Sequence, residues 1–208
     1  MQPLIIDLKG RSVVIAGGGR IAARKARVLG GEQAAISFIA PQFSDEVLAL
    51  AEEHGYRLIE RKAEAADFAE ALLVVLATND SEANRALRKA LPAHQLVCVV
   101  DEANSGNVLF PATVRRGNLQ IAVTSSGASP KLTRKLKKEL EQQFDGSWIA
   151  YSAFLGNARE LVLRSNLTFE QKQDILLEIL DDRYRFNELL CDEKLLELEK
   201  IGQKIEKK

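Results

Sequence analysis

Cysteine is scarce in this chain of 208 residues, with two in all, and so are tryptophan, with one, and histidine, with two. Cys98 lies in an apolar run and Cys191 in a helical tail, a placement that fits neither a metal site nor a redox pair and excludes a disulfide-built scaffold. Both are expected to be unpaired packing residues. Long hydrophobic runs are missing as well. The longest, "ALLVVLA" at 71–77, falls far short of the roughly 20 residues of a membrane span, and "MQPLIIDLKGRS" has no basic region leading to a cleavage site. A soluble protein in the cytoplasm is expected, without a membrane partner. Nor is one sign of charge in excess: Lys plus Arg and Asp plus Glu both number 29, which speaks against a chain built to grip nucleic acid. His54 and His94 fall at the ends of helical stretches and are expected at the surface. No His, Cys and carboxylate cluster has metal-ligand spacing, so no metal site is expected.

What the chain does have is alternation. Short apolar runs at 12–16, 34–39, 56–59, 72–77 and 96–100 are separated by helical patterns at 20–29, 44–54 and 81–93. Strand and helix in turn predict a parallel sheet with helices on both faces. "LLVVLA" and "LVCVV" lack a period of two, as central strands buried on both sides should. After Asp101 the pattern shifts to two short strands at 112–115 and 119–123 around "RRGN", then to a helix capped by Ser129 with Pro130 in its first turn, running to about Phe144. The remainder reads as helical, with a capping box at Thr168 and Gln171 and an apolar stripe of Leu195, Leu198, Ile201 and Ile205. These later helices are expected to pack on the first domain, on each other or on a second copy.

The most informative stretch is "SVVIAGGGRIAARKARVLGG", from Ser12 to Gly31. Gly17, Gly18, Gly19, Arg20, Ile21 and Ala22 fit G-x-G-x-x-A between a strand and a helix. Gly17 suits the tight turn, Gly19 the approach of a pyrophosphate and Ala22 close helix–sheet packing, with the phosphates at the helix N-terminus. The acid that usually holds the adenosine ribose is absent from "ISFIAPQF", and no Arg or Lys stands near Ala40 and Pro41 for a 2′-phosphate. NAD is therefore the expected cofactor, preferred over NADP. Thr78 and Asn79, ending the fourth strand in "ATND", are expected to line the cofactor crevice or to cap the next helix.

Two further features invite an anionic ligand. The segment "KLTRKLKKEL" places Lys131, Arg134, Lys135, Lys137 and Lys138 ahead of Glu139, either as a solvated face with Lys135–Glu139 and Lys137–Glu141 pairs or as a seat for acidic groups. The loop "TSSGASP" before it offers Ser125, Ser126 and backbone amides, or serves only as a helix cap.

Taken in order, "IIDLKGRSVVIAGGGRIAARKARVL", "IAPQF", "VLATND" and "VVDEANSGNVLFPATVRRGNLQIAVTSSGASPKLTRKLKKEL" resemble the precorrin-2 dehydrogenase family, which includes the dehydrogenase–ferrochelatase portion of siroheme synthase. The resemblance covers about residues 1 to 150 and is closest to the stand-alone members. It implies an α/β chain with a Rossmann-like NAD-binding domain at 1–113, a small dimerisation and substrate region at 114–150 and a C-terminal helical domain at 151–208. It further implies NAD-dependent oxidation of precorrin-2, a polycarboxylate tetrapyrrole, to sirohydrochlorin by a homodimer. Asp101, in "VVD", matches the family's functional aspartate, as the base that takes the proton or as the group that orients the ring. Asn104, Ser125, Ser126, Lys131 and Arg134 are the substrate-side candidates. Two alternatives stay open: a bifunctional dehydrogenase and ferrochelatase, and a non-catalytic NAD-binding regulatory module.

Overall fold

A computed structural model describes residues 1–102 and 105–203 of the chain. It divides into two compact units, Met1–Phe110 and Pro111–Lys208. In the first unit the elements run β1 (Ser12–Ala16), α1 (Arg20–Gly30), β2 (Ala35–Ala40), α2 (Asp45–His54), β3 (Arg57–Glu60), a single 3-10 turn (Ala65–Phe68), β4 (Leu73–Leu76), α3 (Ser81–Ala90) and β5 (Leu96–Val99). The strands form one parallel sheet in the order β3-β2-β1-β4-β5.

Both faces of this sheet are covered, which explains the unbroken apolar runs. Val13, Ile15, Phe38 and Val75 pack on one side against Ala22, Ala23, Ala26 and Leu29 of α1 and Val47 of α2. Val14, Ile39, Val74, Leu76 and Val97 pack on the other side with Phe68 and Leu91. The helix expected over 81–93 stops at Ala90, because Leu91 precedes Pro92 and takes an extended conformation. Cys98 and Cys191 are free and buried, and His54 and His94 are exposed.

The chain order places a topological switch between β1 and β4. After β1 the chain winds outward through β2 and β3, then returns to β4 on the other side of β1. Ligands of such sheets bind beyond the carboxyl ends of the strands at that point. Here those ends are Ala16 and Leu76, which face each other in register, so Gly17 and Ala77 follow side by side.

The second unit holds a hairpin of β6 (Ala112–Arg116) and β7 (Leu119–Val123), then α4 (Pro130–Gln143), α5 (Ser147–Arg164), α6 (Phe169–Glu178), α7 (Asp182–Arg185) and α8 (Glu188–Gln203). The hairpin turns at Gly117, whose φ of 58° lies in the left-handed region. Ser152 of α5 supports this turn by accepting from Asn118 N at 3.0 Å. Among the three partners expected for the later helices, the structure shows them on each other: Tyr151, Phe154 and Val162 of α5 form a core with Ile179, Tyr184, Cys191 and Leu198. The Thr168–Gln171 capping box is formed. Ile205 lies outside the described residues, as does Asn104.

Candidate functional site

At the switch point the three glycines do different things. A Cβ on Gly17 would lie 2.3 Å from the carbonyl oxygen of Ala77, and the φ of 138° favours glycine in any case. A Cβ on Gly18 would lie 2.0 Å from the carbonyl oxygen of Gln42. Both are therefore required by the fold itself. Gly19 is different, since a Cβ there meets nothing within 4 Å. Gly19 caps α1 without a side chain, and no acid stands in the first turn, so the amides at the start of α1 and its positive dipole end are left for an anion. Ala22 is fully buried in the sheet–helix core, the packing role expected of it, while Arg20 and Ile21 are exposed.

A cavity of about 810 Å³ opens at this point, lined by Gly17, Gly18, Gly19, Ala40, Pro41, Thr78 and Asn79 among others. Seven of the cofactor candidates from the sequence thus meet around one space, and Arg20, Ile21 and Ala22 stand outside its wall. Its apolar side comes from Ala63 after β3 and from Ala83, Ala86 and Leu87 of α3. Such a mixed cleft, with backbone donors at one side and small apolar side chains at the other, suits a dinucleotide. The cap of α3 falls to Asp80, whose carboxylate accepts from Glu82 N and Ala83 N, each at 3.0 Å. Asn79 is thus not the cap.

Thr78 is tied into a network that the sequence did not reveal. Its hydroxyl donates to Asn84 Oδ1 at 2.7 Å, and Asn84 is completely buried. The amide nitrogen of Asn84 donates in turn to both carboxylate oxygens of Asp101, at 3.2 and 3.3 Å. Ser81 Oγ donates to Asp101 Oδ2 at 2.6 Å. The Ser81 hydroxyl, helped by the backbone amide of Asp101, by Asn84 and by nearby Arg85, holds the Asp101 carboxyl below its ordinary value of 3.8 against the opposing effect of partial burial. Asp101 is thus an exposed, fixed carboxylate that stays ionised through neutral pH, linked through Asn84 and Thr78 to the wall of this cavity. Ser81 and Asn84 occupy positions one helical turn apart on α3. The only sequence signal for Asn84 was a polar residue on the buried side of an amphipathic helix, which is easily read as a surface position, and Ser81 is itself exposed.

No cation stands near Ala40 and Pro41 in the sequence, but Ala40 pairs in register with Glu60, so the residues after β3 run beside those after β2. Lys62 consequently lines the same cavity as Pro41.

On the second unit, the loop before α4 meets much of its own hydrogen-bonding demand. Ser129 Oγ accepts from Leu132 N, Ser125 Oγ accepts from Ser129 N at 3.0 Å and from the Thr133 hydroxyl, and Thr124 Oγ1 accepts from Ser126 N. Ser126 has a φ of 52°, so the loop holds a strained conformation at this serine. The loop is a helix cap, which leaves the serine hydroxyl protons rather than most of the amides for a ligand. On α4, Lys135 and Lys137 pair with Glu139 and Glu141 at 3.7 and 3.5 Å, whereas Lys131 and Arg134 are exposed with no ion pair among the described residues. Among the described residues no group of His, Cys, Asp and Glu is placed to hold a metal ion.

Residues 4–112 match the model of a family described as putative NAD(P)-binding, 116–143 the sirohaem biosynthesis protein central family, and 148–189 the SirC C-terminal domain. A precorrin-2 dehydrogenase of Priestia megaterium is 36% identical over 96% of this chain and 99% of its own length. The chain belongs to the precorrin-2 dehydrogenase family. Another relative, the precorrin-2 dehydrogenase of Bacillus subtilis, is 36% identical over 72% of the chain and 93% of its own length. A siroheme synthase of Pseudomonas paraeruginosa is 37% identical over 70% of the chain, which spans only 32% of that longer protein. A solved structure of the precorrin-2 dehydrogenase SirC superposes with a TM-score of 0.84 at 36% identity, covering 96% of this chain and all of that one. In this member of the family the glycine-lined cavity and the Ser81–Asn84–Asp101 network both lie within the first unit.

Proposed function

We propose that this chain oxidises precorrin-2 to sirohydrochlorin with NAD, as a step of siroheme biosynthesis. The observation that carries the reading is the dinucleotide-sized cavity at the switch point, with an ionised aspartate joined to its edge through Thr78 and Asn84. NAD, when bound, supplies a nicotinamide ring that accepts a hydride. Dehydrogenation removes that hydride and a proton from the tetrapyrrole, leaving positive charge on it as the hydride departs. Asp101 is suited to this moment. A carboxylate with lowered proton affinity is a weak base and a strong fixed anion, so Asp101 orients the ring and balances the developing charge, and the proton passes to solvent.

The first turn of α1 binds the pyrophosphate, Thr78 and Asn79 border the crevice, and the second unit's Lys131 and Arg134, with Ser125 and Ser126, hold carboxylates of the substrate. Asn104 is assigned to the substrate from the family resemblance alone. We assign 1–113, 114–150 and 151–208 to cofactor binding, to dimerisation with substrate contacts, and to a helical domain. A homodimer is supported by two features of the central region. No residue of α4 is fully buried, and β6 and β7 each pair only with the other among the described residues. No helix among the described residues is long and apolar enough to cross a membrane, and the reaction fits the cytoplasm.

Steady-state kinetics with precorrin-2 test the substrate assignment. Replacing Lys131 and Arg134 by glutamine is expected to raise KM for precorrin-2 by about tenfold, as loss of about 1.4 kcal/mol of binding would. The rise should shrink at high salt, where charges are screened beyond roughly 10 Å. Lys135 and Lys137 are already paired with acids, so the same change there should have less effect. Equal effects of the two pairs, or an unchanged KM in the first, would return Lys131 and Arg134 to a solvated helix face.

A further inference from the structure

We infer that the cofactor site also accepts NADP, through a seat for the adenosine 2′-phosphate formed by Lys62 and Ser44. The inference rests on the dinucleotide reading of the cavity and goes beyond it in naming a second ligand. Discrimination against a phosphorylated ribose normally comes from a repulsive element, an acid at the end of the second strand. That acid is missing from "ISFIAPQF", and Glu60, which pairs in register with Ala40, does not line the cavity. Asp45 and Glu46 begin α2 but do not line the cavity, and Glu46 is paired with Arg27 at 3.1 Å. Asp80 lines the cavity, but its carboxylate is engaged in capping α3.

An attractive element is present instead. Of the two cations that follow β3, Arg61 is committed to Asp67 in a two-pronged ion pair. Lys62 makes no ion pair among the described residues and lines the cavity beside Pro41. Ser44 lines it too. Its amide donates to the carbonyl of Gly18 at 2.8 Å, which fixes its place at the glycine turn. Its hydroxyl oxygen is buried and has no hydrogen-bond partner among the described residues. A buried hydroxyl without a partner is unfavourable, and rotation of the Ser44 side chain toward the cavity would let a ligand oxygen satisfy it. A cation and an unsatisfied hydroxyl at the strand end where the ribose belongs form a seat for a phosphate monoester.

Calorimetric titration of the full chain tests this without turnover. NAD, NADP, AMP and the 2′-phosphorylated form of AMP are titrated separately into wild type, Lys62→Gln and Ser44→Ala. Wild type should bind NADP with a Kd within about tenfold of that for NAD, and the phosphorylated AMP at least as tightly as AMP. In Lys62→Gln the ratio of the NADP Kd to the NAD Kd should rise about fivefold, the scale of one exposed charge contact, and less so at high salt. Ser44→Ala should raise the ratio in the same direction. NAD binding with NADP more than about 100-fold weaker in wild type, or an unchanged ratio in Lys62→Gln, would overturn the inference and leave the NAD site standing. A folded chain that binds neither dinucleotide would overturn both.

Discussion

Replacing Asp101 by asparagine is expected to lower kcat for precorrin-2 by about 10²–10³, the range seen when a preorganised electrostatic partner of the transition state is removed. The substitution keeps the shape of the side chain. Its amide oxygen still accepts from Ser81 and Asn84, so the network that anchors residue 101 survives while the charge is lost. NAD affinity should stay near wild type, because Asp101 lies outside the cavity wall. The melting curve should move by no more than about 1 kcal/mol of stability, since an oxygen at residue 101 still accepts from Ser81 and from Asn84. A strand-terminating aspartate with no chemical role would give the reverse, with turnover intact and stability reduced.

The pH profile sharpens the same prediction. The folded carboxyl titrates below 3.8, so the Asp101 contribution is fully present above that value and is lost as pH falls through the lowered one. Wild type should therefore show no acid limb from this group in the physiological range. Ser81→Ala removes the largest cause of the depression and should shift the limb upward.

The second large effect is expected at Gly19. Changing it to aspartate should weaken NAD binding by about 100-fold or more, because a carboxylate at the start of α1 faces the pyrophosphate and like-charge juxtaposition costs several kcal/mol. The fold should not suffer, for two reasons. The Cβ at this position enters open space, and Asp is a preferred N-cap that can satisfy amides of the first turn. Stability unchanged or raised, with binding lost, is an unusual combination that marks a ligand-contacting position. Gly18→Ala should behave in the opposite way, since its methyl would collide with the Gln42 carbonyl and the loss would appear first in the melting curve. Calorimetry with NAD and a thermal melt on both variants decides between these patterns.

The contrast between the glycines shows where sequence reading stopped. The pattern G-x-G-x-x-A located the turn, and the alternation of apolar runs located five strands within a residue or two, because both signals are local. It could not reveal that Gly18 is held by Gln42 and Phe43 while Gly19 faces open space, since that depends on the path of the chain after β2. Lys62 was missed for a similar reason: it is far from Pro41 in the chain and reaches the cavity only through the parallel register of β2 and β3. Asp101 was legible from its motif. Its partners were not, because Ser81 and Asn84 lie 20 and 17 residues away on the helix between β4 and β5. On α4, composition alone could not separate the lysines that pair along the helix from Lys131 and Arg134, which make no ion pair among the described residues.

The most direct test of the account is a single-turnover experiment in the absence of oxygen, with enzyme in excess over precorrin-2 and NAD present. Absorbance of NADH and of sirohydrochlorin is followed together in wild type and in Asp101→Asn. The account predicts that the two products rise at the same rate and in equal amounts in wild type, and that both slow by about 10²–10³ in the variant. Sirohydrochlorin formed without NADH, no turnover in a folded wild-type chain, or a variant as fast as wild type would contradict it.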